Sequence, residues 1–179
     1  MANPLILALG GTRSGKSRFG LATTRRFAGA GRAWFLATAW AGDEELDGRI
    51  GRHRAERPAG WPTIEVRDDL AGAIEQATPS EPILIDGLTL WLSTLLGDDA
   101  PGIDPILDGP VAAAYQALID RPGPAVVVSD EVGLGTVPMH PNARAYRDLV
   151  GIAHQRLAAI ADEAYLFVAG LPVALKVPR

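Results

Sequence analysis

The chain alternates short apolar runs with longer stretches at helical spacing. Leu5-Ile6-Leu7-Ala8-Leu9 is continuously apolar, the pattern of a strand buried on both faces. A glycine-rich turn follows. Lys16 to about Ala28 then carries Phe19, Leu21, Ala22 and Phe27 at positions that predict a helix. Ala33 to Ala37 reads as a second strand. Residues 43–57 are polar and helix-compatible, with Asp43, Glu44 and Glu45 where acids favour a helix N-terminus and Pro58 just past the end.

The alternation continues. Thr63 to Val66, Pro82 to Asp86, Ala125 to Ser129 and Ala164 to Ala169 are strand candidates, and Val173 to Val177 is a candidate edge strand. Leu70 to Ala77, Leu88 to Leu96, Val111 to Ile119 and Asn142 to Ala161 have helical patterns. The stretch 97–109, rich in Asp, Pro and Gly, is predicted to be a surface loop or insertion. Strands alternating with helices predict an α/β protein whose mainly parallel sheet is covered on both faces. The 179 residues fit a single domain spanning 1–179, with no internal repeat or linker.

Composition narrows the function classes. Cysteine is absent, so a disulfide framework and thiolate metal sites are excluded. The apolar runs fall well short of the ~20 residues of a membrane span. Met1-Ala2-Asn3-Pro4 lacks the basic start of a signal peptide, and the expectation is a cytoplasmic protein. A net charge of -4 argues against a protein that coats nucleic acid. Of the 17 lysines and arginines only Lys16 and Lys176 are lysine, and Lys16 lies in the most specific motif.

Gly10-Gly11-Thr12-Arg13-Ser14-Gly15-Lys16-Ser17 matches G-x-x-x-x-G-K-[ST] at every fixed position, between a predicted strand and a predicted helix. The glycines let successive backbone N–H groups point into one concavity, and the helix N-terminus adds its positive dipole end. Lys16 can reach the β- and γ-phosphates of a nucleotide, and the Ser17 hydroxyl can ligate Mg²⁺. The motif predicts a P-loop NTPase-type, RecA-like sheet. Asp86 closes the apolar run Ile83-Leu84-Ile85. Beside a phosphate loop such an acid can hold Mg²⁺ directly or through water; alone, it would be one of many strand-ending acids.

Residues 49–57 carry Arg49, Arg52, Arg54, Arg57 and His53. On a helix Arg49, His53 and Arg57 share a face. Cations there would keep the imidazole neutral and nucleophilic, able to attack an α-phosphorus and expel pyrophosphate. The same pattern also describes a solvated face whose arginines pair with Glu45 and Glu56. His154 falls within the long amphipathic helix and reads as structural. His140, in a Pro-Met-His-Pro stretch, has no role fixed by its neighbours.

Together these segments resemble the bifunctional adenosylcobinamide kinase/adenosylcobinamide-phosphate guanylyltransferase family over nearly the whole chain. The resemblance rests on the Gly10–Ser17 loop with Arg18, on Phe35-Leu36-Ala37-Thr38, and on Arg49-Ile50 through His53-Arg54 to Arg57-Pro58. Trp61, Thr63 and Glu65 follow in the family's order. Ile85-Asp86 to Leu96, Glu131-Val132-Gly133-Leu134-Gly135-Thr136-Val137-Pro138 and Gln155-Arg156-Leu157-Ala158 complete it. The resemblance implies that ATP or GTP phosphorylates adenosylcobinamide. GMP from GTP then passes through a guanylylated histidine to the cobinamide phosphate, giving adenosyl-GDP-cobinamide. It makes His53 that histidine and Lys16 the other catalytic group. Gly10 to Ser17, Leu36, Ala37, Thr38, Arg54, Arg57, Glu65 and Asp86 would line the nucleotide site, with Mg²⁺ at Ser17 and Asp86. It also implies a homotrimer, and neither nucleic acid nor a membrane span. A P-loop small-molecule kinase without guanylyltransferase activity is the alternative. Three positions depart from the family's usual residues: Asp130 and His154 stand where asparagine is common, and Gly87 where cysteine is often found.

Overall fold

The computed structural model describes residues 4–38, 60–97 and 102–178. Among them the chain runs β1 (Leu5–Gly10), α1 (Lys16–Ala28), β2 (Trp34–Ala37), β3 (Thr63–Glu65), α2 (Leu70–Gln76), β4 (Ile83–Asp86) and α3 (Leu88–Leu96). Next come α4 (Asp104–Ile106), a π-helical turn (Leu107–Val111) and α5 (Ala112–Asp120). The chain closes with β5 (Ala125–Asp130), α6 (Pro141–Ile160), β6 (Glu163–Val168) and β7 (Leu171–Lys176). The predicted helix at 43–57 lies outside the described residues.

The strands form one seven-stranded sheet in the order β3-β2-β4-β5-β1-β6-β7. Every pairing is parallel except the β6–β7 hairpin. The apolar run of β1 is buried along its whole length, as a strand covered on both faces requires. Alternation divides its neighbour β5. Ala125 and Val127 join the larger core with Leu149, Val150, Ala153 and Leu157 of α6. Val126 and Val128 face the smaller core, against which Phe19 and Leu21 of α1 pack.

Local signals place the helices. The Asp69 side chain accepts a 2.8 Å hydrogen bond from the Gly72 N–H and caps α2. Pro141 opens α6, where its missing N–H costs nothing. The prediction for 97–109 needs correction, because part of that stretch is helical. Ile106, Leu107 and Val111 are buried in the larger core, and this packing outweighs the poor helix propensity of Asp, Pro and Gly. Pro110 sits inside the π-helical turn, the wider geometry that takes up such an interruption.

A candidate phosphate-transfer site at the carboxyl edge of the sheet

Parallel strands end at one edge, and their last residues meet there. Gly10 of β1 is in register with Asp130 of β5, Asp86 of β4 with Ala37 of β2, and Ala37 with Glu65 of β3. Open α/β sheets bind ligands beyond this edge.

The phosphate loop bridges β1 and α1. Gly15 adopts φ 98°, a left-handed conformation that disfavours any side chain. A Cβ there would also come within 3.3 Å of Gly170 Cα. The turn between β6 and β7 thus braces the loop from outside, where the Gly170 N–H donates to Ser14 O at 3.0 Å. No side chain caps the start of α1, so its first N–H groups are suited to an anion. Gly11, Thr12 and Arg13 are exposed at the tip while Ser14 and Lys16 are buried. The Ser14 hydroxyl is a buried group without a hydrogen-bond partner.

Lys16 Nζ donates to Gly11 O at 3.0 Å and pairs with Asp130 Oδ1 at 2.5 Å. The other Asp130 oxygen accepts from Thr89 Oγ1 at 3.3 Å. Ser17 Oγ donates to Asp86 Oδ1 at 3.4 Å. A hydroxyl beside a carboxylate offers the hard oxygen donors that Mg²⁺ prefers, completed in such sites by phosphate and water. The predicted pair Ser17 and Asp86 therefore fits that ion.

Other predicted site residues sit differently. Thr38 is buried with its hydroxyl engaged on Gly87: it donates to Gly87 O at 2.5 Å and accepts from the Gly87 N–H at 2.9 Å. Leu36 and Ala37 point into the two cores, which leaves only their backbone for a ligand. Glu65 is exposed at the end of β3. His53, Arg54 and Arg57 lie outside the described residues.

Two groups join the site that its sequence motifs did not assign to it. Asp130 is the partner of Lys16. Behind it, on the α6 side of β5, His154 Nε2 lies 2.7 Å from Ser129 Oγ, and His154 Nδ1 lies 3.8 Å from Glu131 Oε2. Burial lowers the pKa of His154, although Glu131 and Asp130 pull it upward. The imidazole is therefore neutral at neutral pH. An apolar cavity of about 470 Å³, lined by Ile74, Ala117 and Arg121 among others, lies between α2 and α5. It is at the amino ends of the strands and takes no part in this site.

Two solved structures share the fold. The flagellar accessory protein FlaH from Methanocaldococcus jannaschii matches with TM-score 0.55 and 12% identity, over 99% of this chain and 80% of its own. A solved ATPase domain matches with TM-score 0.51 and 9% identity, over 92% of this chain and 69% of its own. Sequence relatives are much nearer. The bifunctional adenosylcobalamin biosynthesis protein CobP of Pseudomonas aeruginosa is 44% identical over 172 residues, covering 95% of this chain and 96% of that protein. The CobU protein of Escherichia coli K12, described in the same words, is 35% identical over 183 residues, covering 96% and 99%. The model of the family described as cobinamide kinase / cobinamide phosphate guanyltransferase matches residues 6–175, from β1 to β7. A phosphate loop on a P-loop NTPase sheet, within a match of that length, makes this chain a member of the cobinamide kinase / cobinamide phosphate guanyltransferase family.

Proposed function

We propose that this protein phosphorylates adenosylcobinamide and then guanylylates the product, with one nucleotide site at the phosphate loop serving both steps. The observation that carries the reading is Lys16, buried in a G-x-x-x-x-G-K-S loop beside the Ser17–Asp86 pair, in a chain matched by the family over 6–175.

In the first step the acceptor hydroxyl oxygen bonds to the γ-phosphorus of ATP or GTP and its proton passes to solvent. The bond from that phosphorus to the β–γ bridging oxygen breaks, and a nucleoside diphosphate leaves. The backbone N–H groups of the loop and the Lys16 ammonium stabilise charge on the transferred phosphoryl oxygens. Mg²⁺, held at Ser17 and Asp86, would neutralise the β- and γ-phosphates. In the second step an imidazole nitrogen of His53 attacks the α-phosphorus of GTP and pyrophosphate leaves. A phosphate oxygen of the cobinamide phosphate then displaces the imidazole, breaking the P–N bond and forming adenosyl-GDP-cobinamide. Arg54, Arg57 and Glu65 belong to the nucleotide site in this reading.

The working unit is a homotrimer. Leu171, Val173 and Leu175 of β7, with Val177 just beyond it, are each at least 50% exposed on an edge strand. A bare apolar edge of this kind is what a neighbouring copy would cover. The compartment is the cytoplasm.

Labelling with α-labelled GTP and Mg²⁺ tests the histidine step. The expected label is acid-labile, base-stable and absent from His53→Ala, which keeps kinase activity. Failure to label a protein that binds GTP tightly would favour the kinase-only alternative.

A further inference from the structure

We infer that His154 is a positioning residue for the phosphate loop: it holds Ser129, the residue before Asp130 on β5, and thereby aims the Asp130 carboxylate at Lys16.

The argument starts from the alternation of a strand. Asp130 points to the α1 side, where it pairs with Lys16. Its neighbours Ser129 and Glu131 therefore turn to the α6 side, where Ser129 hydrogen-bonds to His154 and Glu131 stands 3.8 Å from the same ring, beyond hydrogen-bond reach. Ser129 is fully buried and His154 nearly so. His154 Nδ1 has no hydrogen-bond partner, and the negative charge of Glu131, 3.8 Å away, favours the imidazole proton on that nitrogen. Nε2 then accepts from the Ser129 hydroxyl at 2.7 Å.

The gripped segment is also tied to the loop through its backbone. The Glu131 N–H donates to Gly10 O at 3.0 Å, at the first residue of the phosphate loop. The Glu131 side chain accepts from the Gly133 N–H at 2.5 Å and shapes the turn that follows. His154 thus holds Ser129, which precedes Asp130, from the face opposite the nucleotide. It touches no substrate and acts through Asp130 and Lys16. An asparagine amide at this position could also offer Ser129 a hydrogen bond.

This inference rests on the reading that Lys16 serves phosphoryl transfer, but its first test needs no turnover. Lysine occurs only at 16 and 176, so protein labelled with ¹³C at lysine Cε gives two side-chain NMR signals. Lys176 donates to Ala158 O and Ala159 O and serves as the internal control. His154→Ala is expected to move the Lys16 signal and leave that of Lys176 in place, and His154→Asn to restore it. In transfer assays His154→Ala should lower kcat about tenfold, the effect of a small misplacement in a transfer site. The nucleotide KM should stay within about twofold, because ground-state binding is kept.

An unmoved Lys16 signal in folded His154→Ala would overturn the inference. So would loss of both signals together, or failure of His154→Asn to restore. If His154→Ala does not fold, Ser129→Ala removes the same hydrogen bond, and an unmoved Lys16 signal there is equally fatal. A wild-type protein that turns over no cobinamide while its lysine signals behave as expected would sink the functional reading and leave the positioning role standing.

Discussion

Asp130 Oδ1 lies 2.5 Å from Lys16 Nζ, so the lysine proposed to meet a polyphosphate is already paired with a carboxylate. The contact joins the end of β5 to the first residue of α1. It also places a negative charge within the anion site. The carboxylate is 38% exposed, so solvent weakens the repulsion without removing it.

Asp130→Asn separates charge from geometry. An amide oxygen can still accept from Lys16, but the charge facing the nucleotide is gone. Nucleotide affinity should rise roughly 3–10-fold at low salt, and the gain should shrink as added salt screens the charge. Calorimetric titration at two ionic strengths measures this. Weaker binding by Asp130→Asn would show that the charge helps rather than opposes the nucleotide.

The Ser17–Asp86 pair makes a different prediction. Asp86→Asn weakens the acceptor that orients the Ser17 hydroxyl and removes a charge that attracts a cation. The Mg²⁺ concentration needed for half-maximal nucleotide binding should rise roughly 10–100-fold, the usual cost of disturbing a metal's supporting shell. Nucleotide binding without Mg²⁺ should change little. An unchanged Mg²⁺ requirement would remove Asp86 from the ion's surroundings.

Gly20 tests the packing of α1 on the sheet. A Cβ at this position would stand 2.7 Å from Val128 Cγ2 and 3.1 Å from Leu84 Cδ1. Both neighbours are fully buried, so neither can move aside cheaply. Over-packing of this kind costs about 1–3 kcal/mol, against up to about 1 kcal/mol gained from placing alanine in a helix. Gly20→Ala should therefore lower the urea midpoint. A raised midpoint would mean that α1 sits further from β4 and β5 than described.

His154 gives stability a pH dependence of known sign. Its pKa is lowered in the folded protein by burial, so below the ordinary value of 6.5 the unfolded chain takes up the proton more readily. The contribution is fully present above that value and is lost as pH falls through the lower, folded one. Urea unfolding between pH 7 and pH 5 should show wild-type stability declining more steeply than that of His154→Asn. Parallel profiles would show that the imidazole is not held neutral.

Much of the site was legible because its signals are local. The Gly10–Ser17 loop is written in residue types that its backbone requires, and the φ of 98° at Gly15 shows that requirement directly. Asp86 was legible as an acid closing a buried run, and it does stand beside Ser17. Thr38 was less so. A threonine at a strand end can face a ligand or a backbone, and here Gly87 takes its hydroxyl. Residues 104–111 read as loop because Asp, Gly and Pro disfavour helix. The buried contacts of Ile106, Leu107 and Val111 that outweigh this are made with distant segments.

The sequence by itself determined the alternation of strands and helices, the phosphate loop and the family, since each depends on spacing within a short window. Only the tertiary structure decided that Asp130 meets Lys16, and that Ser129 meets His154 on the other side of the strand. Those contacts follow from the register that sets Gly10 against Asp130 and from α6 lying across the back of the sheet. Register and helix placement are settled by burying all the apolar faces at once, a condition on the whole chain that no single segment carries.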